Sequence, residues 1–187
     1  PELLINKDII TTNTAYELFP ETSKLCHFAD KCWWDWNNSS DLWKSYKGIK
    51  TTAAGVHMKF WKSLKSENII CYNKKIVNHK DVQFAKEKNT LGGNNAGHQA
   101  INLAWHLGYK IMILLGFDCN TAADKTHWHN KHKRVSNKDN YTNTMIPGFK
   151  SLASVQKEYE FKVYNVNPKS AITCFEYISL QDAITKY

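Results

Sequence analysis

The chain has 187 residues, 42% of them hydrophobic and 13% aromatic, which is enough for one sizeable core and gives no sign of a second domain. The formal net charge is +8, but Arg134 is the only arginine, so a lysine-rich surface is our main interpretation and a nucleic-acid-binding face the alternative. Five cysteines without a C-x-x-C pair indicate neither a disulfide framework nor a zinc ribbon.

The composition also bears on localisation. No apolar run approaches the roughly 18 residues that span a bilayer, and no charged-then-apolar leader opens the chain. We therefore expect a cytoplasmic protein that has no membrane span. Because the chain begins at Pro1 without a methionine, we also expect a fragment or a processed product.

Two short strands are predicted first, and each is followed by a polar residue. Residues 8–13 and 24–29 are β-branched or apolar and are bounded by turn residues. Asn13 and Asp30 stand at their carboxyl ends, the ends at which parallel α/β sheets bind ligands. Both side chains are therefore candidates for ligand contact.

Four tryptophans follow, at positions 33, 34, 36 and 43. Their large rings are expected to cover the sheet, and stacking on a base or a sugar is the alternative. Residues 49–52 and 69–72 are further strand candidates, with a helix expected within 56–64. The Lys- and Asn-rich residues 73–89 predict an exposed excursion.

A Gly/Asn turn then leads into a helix. Apolar residues recur on one helix face at positions 100, 103, 104 and 107, with Gly108 as the stop. Asn94 or Asn95 can cap the start of the helix. The small residues Gly92, Gly93 and Gly97 would let a phosphate approach the N–H groups at the helix start, and an ordinary tight turn is the alternative.

The apolar run 111–115 predicts a strand that is covered on both faces, as in a parallel sheet. Asp118 follows its carboxyl end and could hold a ribose hydroxyl, a substrate amine or Mg²⁺, or only cap the next turn. A long polar stretch, 118–144, begins at the same point.

Three histidines lie close together in that stretch, His127, His129 and His132. One of them could act as a general base near neutral pH, and a solvated loop without chemistry is the alternative. The spacing also resembles the HxHxDH signature of metallo-β-lactamase-like zinc hydrolases, but Lys131 stands at the Asp position. We therefore predict no metal site.

The remaining segments predict a helix over 151–159, a strand over 161–166 and a closing helix over 180–186 capped by Ser179. Strands that alternate with helices indicate an α/β fold. We predict one Rossmann-like domain over residues 1–187, with a mostly parallel sheet and helices on both faces.

Four motifs resemble one family in order, and the spacing matches from Gly97 through Asp118: Asn-Asn-Ala-Gly (94–97), Leu-Gly-Tyr-Lys (107–110), Leu-Leu-Gly-Phe-Asp (114–118) and His-Trp-His (127–129). They are similar to uncharacterised bacteriophage proteins related to bacterial sialyltransferases that use CMP-sialic acid and to 6-hydroxymethylpterin diphosphokinase-like proteins. Segments 164–168 and 171–175 also fit those phage proteins.

The resemblance implies a transferase, in the host cytoplasm if phage-encoded, that uses a CMP- or UDP-type nucleotide sugar. Asn95, Ala96 and Gly97 would lie at the nucleotide turn and Asn13 would face the nucleotide. Asp118 would lie at a strand end, and His127 or His129 would lie near the position of the base. No metal takes part in the sialyltransferase chemistry.

The alternatives are a Mg²⁺-dependent diphosphokinase-like enzyme and a non-catalytic phage accessory protein that binds nucleic acid or protein. A zinc hydrolase is a further alternative. The family begins with a strand and a Gly-x-Gly-Pro-Ser-Leu turn, and this chain begins after that position, so we expect the first strand to be missing. The sequence leaves the oligomeric state open.

Overall fold

The computed structural model describes residues 2–54, 63–75, 83–120 and 138–187. The chain divides into two compact units: the first comprises Pro1–Ile76 and Phe84–Gly108, and the second Val77–Gln83 and Tyr109–Tyr187. The single domain expected from the sequence stays a prediction. Within the described ranges, no helix is long and apolar enough to cross a membrane.

The first unit is built on a sheet of four parallel strands that pair in chain order. The strands are β1 (Ile9–Thr12), β2 (Ser23–Phe28), β3 (Ile49–Thr52) and β4 (Ile70–Cys71). Thr12 pairs with His27, and His27 pairs with Thr51. The carboxyl ends of β1, β2 and β3 therefore lie together along one side of the sheet, which we call the carboxyl edge.

Helices and one smaller strand pair complete this unit. They are 3-10 turns at Glu2–Leu4 and Asn13–Leu18, α1 (Lys31–Asn37), α2 (Asp41–Ser45), a helical stretch at 63–66, the parallel pair β5 (Asn73–Lys74) and β6 (Thr90–Leu91), and α3 (Ala96–His106). The strands predicted near 8–13, 24–29, 49–52 and 69–72 are confirmed to within two residues at either end. Most of the helix predicted within 56–64 lies outside the described residues.

Three of the tryptophans lie in one of the two buried hydrophobic clusters that the described residues of the first unit form. Trp33 and Trp43 are 2% exposed, and the Trp33 ring stacks on Phe28 with 4.9 Å between ring centres. Trp43 meets Trp33 edge to face at 5.1 Å. The expectation that these rings cover the sheet is confirmed for Trp33, Trp34 and Trp43, which share one buried cluster.

Helix α3 is buried on all sides rather than on one face. Every residue from 98 to 104 is buried, whereas Leu107, expected on the buried face, is 51% exposed beyond the end of the helix. One side of α3 packs on β1 and β2. Phe84 and Ala85 cover another side, and they are buried themselves. The prediction that 73–89 is an exposed excursion is therefore wrong at these residues.

The second unit contains a parallel sheet of three strands. They are β7 (Ile111–Leu114), β8 (Lys162–Asn165) and β9 (Glu176–Tyr177), paired in chain order. Burial alternates along β7: Met112 and Leu114 are buried, while Ile111 is 37% and Leu115 39% exposed. The strand is present as predicted, but the expectation that both faces are covered is wrong.

The helices of the second unit are a single turn at Lys138–Asn140, a π-helical turn at Tyr141–Met145, α4 (Ile146–Ser154) and α5 (Leu180–Lys186). The helix predicted over 151–159 begins earlier, at a start that carries Pro147, and also ends earlier, at Ser154. Helix α5 and its Ser179 cap are confirmed. Parallel sheets combined with helices confirm the α/β, Rossmann-like fold class.

Candidate functional site

Asn13 begins the carboxyl edge of the first unit, directly after β1. Its backbone has a φ of +50°, a left-handed conformation that Asn tolerates better than most residues. Its backbone oxygen accepts a hydrogen bond from Cys26 Sγ at 3.4 Å. Its side-chain Oδ1 is buried and has no hydrogen-bond partner among the described residues. Such an acceptor requires an explanation, since most buried polar atoms are paired.

A buried polar network joins β2 and β3 to the start of α3. Gln99 Nε2 donates to the Gly93 carbonyl at 3.1 Å, which turns Gln99 Oε1 toward His27 Nε2, 2.9 Å away. His27 Nε2 must therefore carry the proton, and Nδ1 accepts from the Thr51 hydroxyl at 3.0 Å. Burial lowers the pKa of His27 to about 4, so the ring is neutral near pH 7. The network holds the turn before α3 at the carboxyl edge.

The start of α3 carries the predicted cap. Asn95 is the N-cap residue, and its side chain accepts from the N–H of His98 at 2.9 Å. The Asn95 amide also donates to Asn94 Oδ1 at 2.9 Å. The N–H groups of Ala96 and Gly97 lie in the first turn, where helix geometry provides no acceptor and the helix dipole favours an anion.

Gly92 and Gly93 begin this turn, directly before Asn94. Both are buried, and the Gly92 N–H donates to Asn102 Oδ1 at 2.7 Å. Gly93 has a φ of +119°, and a Cβ atom there would lie 2.8 Å from the ring of His98. The two glycines therefore shape the turn, and the Gly92 N–H is already used within the fold.

We expect Gly93→Ala to lower the free energy of unfolding by about 2 kcal/mol, because it adds a clash to a left-handed backbone. Gly108→Ala is the matched control: Gly108 has a φ of +93° and its Cβ would meet no atom within 4 Å. It should cost only about 1 kcal/mol. Urea unfolding of both variants measures the difference, and equal losses would mean that contact with His98 is unimportant.

Asp30 is the other polar residue predicted at this edge. It is exposed and is the N-cap residue of α1, yet its side chain makes no capping hydrogen bond. Its carboxylate therefore remains available as an acceptor two residues beyond the end of β2.

Asp118 belongs to the second unit, where Asn167 Nδ2 donates to its carboxylate. Its backbone carbonyl accepts from the N–H of Ala171 at 2.8 Å. Nearby, Asn165 at the end of β8 is 3% exposed and accepts from the N–H of Asn167 at 3.0 Å. Asn165 Nδ2 is buried without a partner among the described residues. The carboxyl end of this sheet therefore also carries polar groups suited to a ligand.

The predicted histidines His127, His129 and His132 lie outside the described residues. Within the part of the chain that the structure describes, no three His, Cys, Asp or Glu side chains come together to hold a metal ion. The structure thus brings Asn13 and the turn 92–97 to one edge of the first unit and places Asp118 in the second.

Sequence reasoning did not identify His27, Gln99 or Asn102 as parts of this edge. The available signal was their polarity at positions that a helix or strand buries, since such groups need partners inside the fold. Comparison of the chain with protein-family models, curated proteins and solved structures gives no match in any of the three. The family suggested by the motifs therefore stays a prediction.

Proposed function

We propose that the protein is a transferase that binds a nucleotide-activated donor, a CMP- or UDP-type nucleotide sugar, at the carboxyl edge of the first unit. The observation that carries this proposal is Asn13, a left-handed residue at a strand end whose buried Oδ1 has no partner among the described residues. In parallel α/β sheets, this edge is where ligands bind.

The residues at this edge supply complementary groups for such a donor. Asn13 Oδ1 would accept from a ribose hydroxyl or a base amine. The N–H groups of Ala96 and Gly97, at the positive end of the α3 dipole, would hold a phosphate. The Asp30 carboxylate, which makes no cap, would accept from a second hydroxyl. Donors and acceptors of this kind are what a nucleotide requires.

The proposed transfer forms a bond between an acceptor hydroxyl oxygen and the anomeric carbon of the donor, while the bond from that carbon to the phosphate oxygen breaks. The nucleotide leaves with the bonding electrons, and the hydroxyl proton passes to a general base. We propose His127, His129 or His132 for this role, which requires a pKa near the working pH. His27 is unsuited, because its ring is buried with both nitrogens hydrogen-bonded.

Asp118 is proposed to hold a substrate hydroxyl at the end of its own strand. One of its carboxylate oxygens accepts from Asn167, and the other can accept from a ligand. Replacement of each histidine of the 127–132 segment by Ala, one at a time, tests the base. Unchanged turnover in all three variants would remove the histidines from the mechanism.

We expect Asn13→Gly to weaken nucleotide binding about tenfold, the effect of one lost hydrogen bond, without loss of stability. Glycine relieves the left-handed backbone, so the variant separates ligand contact from folding. Asn89→Gly is the matched control, because Asn89 has a φ of +60° but is exposed directly before the amino end of β6. Isothermal titration with CMP and UDP measures both variants.

Two results would contradict this assignment. Equal affinity of wild type and the Asn13→Gly variant would show that Oδ1 makes no contact with the nucleotide. An equal loss in the Asn89→Gly variant would show that the effect is not specific to the carboxyl edge.

A further inference from the structure

A cavity of the first unit lies at the amino ends of β3 and β4, opposite the carboxyl edge. It has a volume of about 630 Å³, which is within the usual range for small-molecule sites. We call it the amino-edge groove. Its charged and amide lining residues are Lys44, Lys47, Lys50, Glu67 and Asn68.

The charges of the groove are unbalanced. Three lysines face one carboxylate, Glu67, so the lining carries a formal charge of +2. None of the three lysines forms an ion pair with another described residue. Unpaired ammonium groups on one cavity attract an anion, and a double positive charge matches a phosphate dianion.

Lys50 is the groove lysine best placed to bind an anion. Its ammonium group is partly buried, donates to the Trp43 carbonyl at 2.6 Å and lies 4.7 Å from the centre of the Trp43 ring. Burial lowers its pKa, and the charge of Glu67 acts in the opposite direction. Two of its three N–H groups remain for a ligand in a site where desolvation strengthens charged hydrogen bonds.

The groove is separate from the carboxyl edge. Strand β3 has four residues, which span about 13 Å from its amino end to its carboxyl end. Asn13 follows the carboxyl end of β1, in the same sheet, whereas Ile49 opens β3 at the groove. A ligand in the groove would therefore not occupy the proposed donor site.

We infer that the amino-edge groove binds a phosphate dianion through Lys44, Lys47 and Lys50. The phosphate could be free in solution or be carried by a small phosphate monoester, since both present the same dianion. The neighbouring Asn68 amide adds a hydrogen-bonding group for the ester part.

Isothermal titration with inorganic phosphate and with adenosine monophosphate tests this site, in the Asn13→Gly background, in which the proposed donor site should bind nucleotides about tenfold more weakly. We expect the Lys44→Ala/Lys47→Ala double variant to bind the preferred ligand at least about tenfold more weakly. Both side chains are exposed, so the variant should fold. Lys150→Ala/Lys157→Ala, at exposed lysines of the second unit, is the matched control and should bind like the parent.

The two sources of the dianion give different results. Equal affinity for both probes assigns the site to phosphate itself, and tighter binding of the monoester assigns it to a phosphorylated small molecule. Affinity for the monoester should rise from pH 5 to pH 7 as its phosphate loses the second proton, whose pKa is about 6.

Two outcomes would overturn the inference. One is that the parent and the lysine double variant bind these probes with equal affinity, or that neither protein binds them. The other is tight, steeply salt-dependent binding of a single-stranded oligonucleotide with no affinity for either small probe, which would assign the groove to nucleic acid instead.

Discussion

Replacement of Asn102 by Leu is expected to lower the free energy of unfolding by about 4 kcal/mol. Asn102 is completely buried in α3, and its Oδ1 accepts from the N–H groups of Ala85 at 3.0 Å and Gly92 at 2.7 Å. Its Nδ2 donates to the Ala85 carbonyl at 3.0 Å. Leucine has a similar volume but leaves three buried backbone groups unpaired, each at a cost of roughly 1–3 kcal/mol.

Urea unfolding near pH 7 measures this loss. Asn143→Leu is the control, because Asn143 is exposed in the π-helical turn, and it should change stability by less than about 0.5 kcal/mol. A loss below about 1 kcal/mol in the Asn102 variant would contradict the role given to this side chain. The same variant should also weaken nucleotide binding, since Asn102 holds the turn that begins at Gly92.

The stability of the wild-type protein is expected to fall by about 3 kcal/mol as the pH drops from 6.5 to 4, because of His27. Its pKa is about 4 in the folded protein, against 6.5 for an unperturbed histidine. Between these values, the unfolded chain binds a proton that the folded chain excludes, so acid favours unfolding. The contribution of neutral His27 to the free energy of unfolding is fully present above pH 6.5 and lost below pH 4.

His27→Gln provides the comparison that isolates this effect. Glutamine can still donate from Nε2 to Gln99 but does not titrate, and carboxylates contribute equally to both proteins. The free energy of unfolding should therefore fall more steeply for the wild type as the pH is lowered from 7.5 to 4. Parallel curves for the two proteins would contradict a buried, neutral His27.

Features set by neighbouring residues were predicted well. Ser179 caps α5 and Asn95 caps α3, because a side-chain oxygen bonds an N–H only a few residues away. Gly108 ends α3 with a φ of +93°, a conformation that glycine adopts readily. The short strands also followed from local composition, and so did the α/β class.

Features set by distant contacts were not predicted. Residues 83–85 lie in the Lys- and Asn-rich segment 73–89, whose composition indicates a loop. In the fold, however, Asn102 hydrogen-bonds both the N–H and the carbonyl of Ala85. The link from His27 through Gln99 to Gly93 joins residues up to 72 positions apart. The amino-edge groove likewise combines lysines of 44–50 with residues of 66–70. A single sequence carries no local signal for contacts between residues that are so far apart in the chain.

A nucleotide is proposed to bind at the carboxyl edge of the first unit. The most direct test is the free energy of unfolding of the wild-type protein against the concentration of CMP, UDP and their sugar derivatives, with and without Mg²⁺. We predict a gain of roughly 2.7 kcal/mol at 100 times the dissociation constant, without a need for Mg²⁺. Unchanged stability at millimolar concentrations of every nucleotide, or an equal gain in the Asn13→Gly variant, would contradict binding at this edge.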